Sequence, residues 1–259
     1  MMKKNKVSIV GAGKLAWNLV PALQAAGQEI CQLIARSPGR GEEMAQAYGL
    51  NRVDGQLSDL APEAELVFLA VGDKAIAAVA SQLAEVAQPG QLFVHSSGSV
   101  PLDALAPLPQ RGVFYPMQIF TLSSQADFKP IPLFLEGDER VIKRLRPLAE
   151  RLSDRVQLLD SEGRLKLHLG AVLVCNFPNY LYRLAQDLVP EAGIQAFEPL
   201  IKETLAKVFA QGPENTQTGP AIRGDLNTLY RHLEILQDDP RQRELYWLLS
   251  TLINPDLQA

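Results

Sequence analysis

Hydrophobic and polar positions alternate along the first 160 residues in two periods. Apolar runs of four to seven residues are separated by stretches with a three-to-four-residue repeat, the pattern of a parallel sheet with crossover helices. β-Type runs fall at 7–10, 29–35, 66–71 and 91–95. The run 66–71 is apolar at every position, as a strand buried on both faces is. Helical patterns fall at 15–26, closed by Gly27, at 41–48, stopped by Gly49, and at 74–87, followed by Pro89-Gly90. Shorter strands are predicted at 112–115, 131–135 and 156–159, with a helix over 139–152 between the last two. The stretch 120–130 is the least regular part of this half. After Ser161 the strand signals vanish, and helical stretches follow at 161–188, 194–210, 226–236 and 240–252, with Gly212-Pro213 and Gly219-Pro220 bracketing the long interruption. The expected architecture is α/β: a Rossmann-type, mainly parallel sheet over residues 1–160, then an all-α domain over 161–259.

The first junction carries the most chemistry. Val7 to Val10 runs into Gly11-Ala12-Gly13, and a helix starts at Lys14, so that Gly11 to Ala16 form a G-x-G-x-x-A turn with the strand before and the helix after it. Gly11 permits the turn, Gly13 lets the backbone lie against a pyrophosphate, and Ala16 lets helix and strand approach. The free N–H groups of the first helical turn, through Lys14 and Leu15, hold phosphate oxygens. A dinucleotide is the expected ligand.

The end of the second strand reads Ala35-Arg36-Ser37, with no carboxylate before Glu42. An acid there takes a ribose 2′-hydroxyl, whereas Arg36, with the Ser37 hydroxyl and Arg40 nearby, suits a 2′-phosphate. NADP(H) is therefore preferred over NAD(H). Two further loops follow predicted parallel strands: Val71-Gly72-Asp73, where Gly72 can approach the cofactor and Asp73 can simply cap a helix, and His95-Ser96-Ser97-Gly98-Ser99, whose polar groups suit a nicotinamide ribose or carboxamide.

Composition narrows the partners. The 259 residues suit about two domains, the net charge of −4 includes no basic block for nucleic acid, and no apolar run reaches the roughly 20 residues of a membrane span. Cys31 and Cys175 have neither redox nor metal-ligand spacing, and read as buried thiols of a cytoplasmic protein. No metal site is expected.

Five motifs occur in order: Gly11 to Ala16, His95 to Ser99, Tyr115-Pro-Met-Gln-Ile-Phe120, His168-Leu-Gly-Ala-Val with Asn176-Phe-Pro-Asn179, and Thr218-Gly-Pro-Ala-Ile-Arg-Gly-Asp225. Together they resemble a bacterial family of two-domain, Rossmann-like NADP oxidoreductases with a helical C-terminal domain. The wider architecture is similar to ketopantoate reductase, pyrroline-5-carboxylate reductase and 6-phosphogluconate dehydrogenase. The resemblance implies a helical domain that closes the substrate cleft and commonly makes the dimer. Two departures stand out. Ketopantoate-type reductases place an asparagine four residues after a lysine on the first long helix of the second domain, whereas here Gly170 follows Lys166. Tyr115 stands where a histidine is expected before Pro-Met-Gln, and no role is transferred to it.

On the 161–188 helix, His168, Val172, Cys175 and Asn179 share a stripe at ~100° per residue, and Pro178 removes a helical N–H. His168 and Lys166 are the strong donors of its first turns and stand ~160° apart, so that one of them can face the cleft. Flanking Leu165, Leu169 and Val172 favour His168 as proton donor, whereas Lys166 follows the charged segment 162–164. Arg223 suits a substrate carboxylate held by two parallel hydrogen bonds, and Asp225 caps a helix or pairs with Arg223 or His232. Large apolar residues along the last helices, among them Leu229, Leu233, Leu236, Trp247 and Leu249, exceed what a domain of that size can bury, which points to a homodimer through the helical domain. The expected function is an oxidoreductase moving a hydride between NADP(H) and a small carbonyl or imine, with a carboxylate on the substrate. A non-catalytic NADP(H)-binding or sensing protein is the alternative.

Overall fold

A computed structural model of the chain describes residues 4–257. They fall into two compact units, one ending at Phe177 and the other beginning at Pro178. The first unit is built on eight strands: β1 (Lys6–Val10), β2 (Glu29–Ile34), β3 (Val53–Asp54), β4 (Leu66–Leu69), β5 (Leu92–His95), β6 (Arg111–Pro116), β7 (Leu133–Glu136) and β8 (Val156–Leu158). Their order is β3-β2-β1-β4-β5-β6-β7-β8. Neighbours pair in parallel except β6 and β7, which are antiparallel. The two-residue β3 carries no periodic signal of its own and exists by pairing Val53 and Asp54 with Leu33 and Ile34.

The side-chain period of two divides each central strand between two layers. Leu66 and Phe68 of β4, with Leu92 and Val94 of β5, face α1 (Lys14–Ala25), α2 (Pro38–Tyr48) and α4 (Glu139–Leu152), whose Leu19, Leu23, Met44, Leu145 and Leu148 fill that side. Val67, Leu69 and Phe93 face α3 (Ile76–Ala84) through Ile76, Ala80 and Leu83. The irregular stretch after β6 is pinned to α1 by the buried Asn18, whose amide donates to the carbonyl of Thr121 at 2.8 Å and accepts from the N–H of Ala126 at 2.8 Å.

The first unit continues past residue 160 because the start of the next helix belongs to it. Asp160 caps α5 (Ser161–Ala171) by accepting from the N–H of Gly163 at 2.8 Å. A π turn, Val172–Asn176, then leads into α6 (Phe177–Leu188). The proline effect expected at Pro178 takes this form: the ring cannot donate to the preceding turn, and widening the helix there accommodates the missing bond. Cys175, expected to be buried, lies on this turn and is exposed, while Cys31 is partly buried.

The second unit also contains α7 (Glu198–Gln211), α8 (Leu226–Ile235) and α9 (Pro240–Ile253). Ala221, Leu229 and Leu257, with Tyr246 and Trp247 against them, form its small core. α6 and α7 bury none of their residues. Among the described residues no helix is long and apolar enough to cross a membrane.

Candidate functional site

β1 lies between β2 and β4, so the strand order reverses beside it, and ligands of open α/β sheets bind at the carboxyl ends of strands at such a point. Gly11 stands there with φ +110°, and a Cβ on it would lie 2.4 Å from the carbonyl oxygen of Ala70. Only glycine serves on both counts. This close approach brings the Gly11–Leu15 turn against the Val71–Asp73 loop. At the start of α1, Gly13 contributes no side-chain cap, and the first turn carries no acid. The free N–H groups of the helix end could therefore hold an anion.

The third loop is tied to the second. Ser99 donates from Oγ to Asp73 Oδ2 at 2.7 Å. Asp73 therefore bridges loops, and it makes no capping bond at the short helical turn it opens. Ser97 is consumed locally: its Oγ accepts from the N–H groups of Ser99 and Val100, both at 3.1 Å. Ser96 is half-buried, and Gly72 is exposed with open space beside it. His95, at the end of β5, is fully buried. Its Nδ1 accepts from the Ser97 N–H at 3.2 Å, while Nε2 has no partner at hydrogen-bonding geometry. Burial, reinforced by the Arg164 guanidinium, lowers its pKa to about 4, against a weaker opposite pull from the Pro101 backbone. At neutral pH this imidazole is uncharged, and it supports the loop from below.

Arg36 and Ser37 follow β2 and are exposed. Ser37 starts α2 without a side-chain capping bond, and Arg36 forms no ion pair among the described residues. Both are free to meet a ligand.

Arg164 is the largest fully buried side chain among the described residues. It pairs with Glu136 at the end of β7, donates from Nε to the Ser97 carbonyl at 3.0 Å, and donates from Nη2 to the Val100 carbonyl at 2.6 Å. Ser161 joins the clasp, giving its Oγ–H to Glu136 at 2.8 Å and accepting the Leu102 N–H at 3.0 Å. The first turn of α5 is thereby fastened to the 96–99 loop. One turn further on, His168 lies over that loop: a Cβ on Gly98 would stand 2.7 Å from His168 Nδ1 and 2.9 Å from the Tyr115 hydroxyl oxygen. Tyr115 comes from β6, its ring buried against Phe134 at a centroid separation of 6.3 Å.

The structure thus brings together the Gly11–Leu15, Val71–Asp73 and Ser96–Gly98 groups and His168. Lys166 does not join them: it is exposed and paired with Glu162 at 2.5 Å. In the second unit Arg223 is exposed and forms no salt bridge among the described residues. Asp225 takes the capping role, accepting from the N–H and hydroxyl of Thr228 at 3.1 and 2.7 Å. The sequence reading missed Arg164, Glu136 and the position of Tyr115 beside Gly98. A charged residue at helical spacing ordinarily marks a solvated face, and nothing local announces a partner 28 residues away.

A Rossmann-like domain model matches residues 2–120, and a domain of unknown function, DUF2520, matches 131–253. A protein of known structure from Bacteroides fragilis, described as a "putative NADP oxidoreductase", is 38% identical, with a TM-score of 0.90 over 97% of this chain and 98% of that one. A Thermotoga maritima protein aligns at 24% identity and TM-score 0.79 over 98% and 100% of the two chains. The imine reductase of Myxococcus stipitatus, solved with NADP+, shares the fold at 13% identity and TM-score 0.69, over 98% of this chain and 94% of that one. Pyrroline-5-carboxylate reductase of Pseudomonas aeruginosa is 29% identical over 106 residues, which span 40% of this chain and 38% of that enzyme. With both domain models matched in order and the Bacteroides protein aligned almost end to end, the chain belongs to the family that joins a Rossmann-like domain to a DUF2520 domain, on the fold of the nicotinamide-dependent reductases.

Proposed function

We propose that the protein is an NADP(H)-dependent oxidoreductase acting on a small carbonyl or imine that carries a carboxylate. The observation that carries this reading is the junction of three loops at the sheet's switch point, with Gly11 packed on Ala70 and His168 held over Gly98. The Gly11–Leu15 turn takes the pyrophosphate, Arg36 and Ser37 take the 2′-phosphate, and the Ser96–Gly98 loop receives the nicotinamide end. The cofactor supplies or accepts the hydride. His168 supplies the proton that completes reduction, and Arg223 is assigned the substrate carboxylate. The pyrroline-5-carboxylate reductase match and the imine reductase fold support an imine among the candidate substrates.

Cofactor choice gives the first test. NADPH should bind at least about tenfold more tightly than NADH, worth ~1.4 kcal/mol. Arg36→Ala should remove most of that difference while leaving NADH affinity unchanged. Fluorescence titration checks both values, and equal wild-type affinities would show that Arg36 does not read the 2′-phosphate.

The helical unit is assigned to a homodimer. α6 and α7 bury none of their residues, and Leu200, Leu205 and Phe209 are exposed along α7, Phe209 at 87%. Apolar surface of this kind marks an interface. Sedimentation at micromolar concentration should show a dimer, weakened by Phe209→Glu. A wild-type monomer at that concentration would remove the assignment. One observation favours a sensing role without catalysis: the lysine–asparagine pair of the ketopantoate-type reductases is absent, and Lys166 is exposed and engaged by Glu162.

A further inference from the structure

The two ring nitrogens of His168 have different surroundings. Nδ1 is sealed from solvent and has no hydrogen-bond partner among the described residues, whereas Nε2 is not sealed in this way. Nδ1 lies beside the open position above Gly98, and the Tyr115 hydroxyl oxygen lies beside the same position. Among the described residues that hydroxyl has no hydrogen-bond partner, and it is not sealed either, although 92% of the residue's surface is covered, its exposure being 8%. A proton on Nδ1 therefore has no exit of its own, and the nearest polar group with an open side is the phenol of Tyr115.

We infer that Tyr115 is a catalytic residue: its hydroxyl touches the reacting oxygen or nitrogen and carries to it the proton held on His168 Nδ1. This deepens the oxidoreductase reading above and rests on it. As a hydride adds to the substrate carbon, the π pair moves to the attached oxygen or nitrogen. The O–H bond of Tyr115 breaks, and its proton forms the new bond on that atom. The phenolic oxygen takes the Nδ1 proton of the imidazolium in the same movement. His168 is left neutral with its remaining proton on Nε2, and once product leaves, a solvent proton returns to the sealed Nδ1 by the same path, through the open side of the Tyr115 hydroxyl. The sealed, unpartnered Nδ1 seen here matches the discharged state, since a proton there would be buried without an acceptor. In reverse, the same path removes a proton from an alcohol or amine.

The surroundings suit this role. Burial raises the Tyr115 pKa, against an opposing pull from Arg164, with Asp73 adding a small push upward, so the phenol stays protonated when idle. Arg164 and Asp73 are the charged groups that act on it, and both belong to the loop clasp already described. The His168 nitrogen and the hydroxyl are not hydrogen-bonded to one another in this structure. Catalytic hydrogen bonds often close only when ligand arrives. Gly98 keeps the position beside both groups open: a methyl there would stand within van der Waals overlap of each.

The test compares Tyr115→Phe, which keeps the ring packing against Phe134, with His168→Asn and the double variant. With pyrroline-5-carboxylate and NADPH, each single change should lower kcat by about 10²–10³-fold while the NADPH dissociation constant stays within about threefold. Because the two act as one path, the double variant should be no more than about threefold slower than the slower single one. Multiplying losses, or wild-type kcat in Tyr115→Phe, would overturn the inference. A second readout needs neither substrate nor cofactor. In protein labelled with ¹³Cζ-tyrosine, the Tyr115 resonance, identified by its absence in Tyr115→Phe, should move with pH in the wild type over a range in which the phenol itself stays protonated. It should stand still over that range in His168→Asn. A resonance that moves identically in both overturns the relay even if NADPH binds, whereas failure to bind NADPH is the separate failure of the oxidoreductase reading.

Discussion

Arg164→Ala should cost the first unit about 3–5 kcal/mol, because it leaves the Glu136 carboxylate in a protein interior without its counter-ion. Glu136 is only 15% exposed and Arg164 1%. The same change strips the carbonyls of Ser97 and Val100 of their donors, leaving a buried group unsatisfied at Ser97 and a part-buried one at Val100. Trp17 belongs to the first unit and Trp247 to the second, so Trp17 fluorescence in a Trp247→Phe background isolates the relevant transition during guanidinium unfolding. Replacing the ion pair by Arg164→Met with Glu136→Leu should recover part of the loss, since no charge is then stranded. Recovery stays partial because the two carbonyls still lack donors. A shift below about 1 kcal/mol for Arg164→Ala would mean that water relieves Glu136 and that the clasp is not what fixes α5. The clasp also bears on chemistry, because His168 lies one helical turn beyond Arg164 and inherits its position over Gly98 from that anchor.

This clasp marks where sequence reasoning stopped. The glycine turn was legible because its parts are neighbours in the chain: strand, Gly11, Gly13 and helix need only local geometry to be recognised. The helices and the long strands follow for the same reason, since burial imposes a period on consecutive residues. The orientation of α5 was different. His168 was placed inward on the strength of Leu165, Leu169 and Val172, yet of these only Val172 is half-buried, and the two leucines are 50% and 58% exposed. The inward face is the buried Arg164 with the partly buried Leu167 and His168, spaced i, i+3 and i+4. His168 faces inward, but because a buried arginine sits below it. Hydropathy assigns arginine to solvent, and only the tertiary partners Glu136, Ser97 and Val100 reverse that. The same limit explains why α5 reads as the start of the second domain although it is fastened to the first unit. It also explains Tyr115, which looked like a departure from an expected histidine until its hydroxyl was seen beside Gly98.

Acid should destabilise the first unit through His95, and the direction follows from its depressed pKa. An exposed histidine titrates near 6.5, and His95 in the folded chain titrates at about 4. Between those values the unfolded chain binds a proton that the native state refuses, so stability falls as the pH drops from about 6.5 to about 4. Above 6.5 both states are neutral and the full contribution is present. Below about 4 both are charged and the loss levels off. A difference of this size is worth on the order of 3 kcal/mol, a large fraction of the stability of an ordinary domain. The cause is physical and specific: the ring is fully buried, and Arg164 adds a positive charge that opposes a second one. His95→Asn isolates the effect, because its amide oxygen can replace Nδ1 as acceptor for the Ser97 N–H and does not titrate. Urea unfolding followed by Trp17 fluorescence at pH 7, 6, 5 and 4 should show the wild type losing about 3 kcal/mol more than the asparagine variant over that range. The comparison is of slopes with pH, so a constant packing cost of the substitution does not matter. Parallel curves for the two proteins would show that the folded chain lets His95 ionise freely, and that the loop holding Ser96, Ser97 and Gly98 opens to water well before the sheet beneath it unfolds.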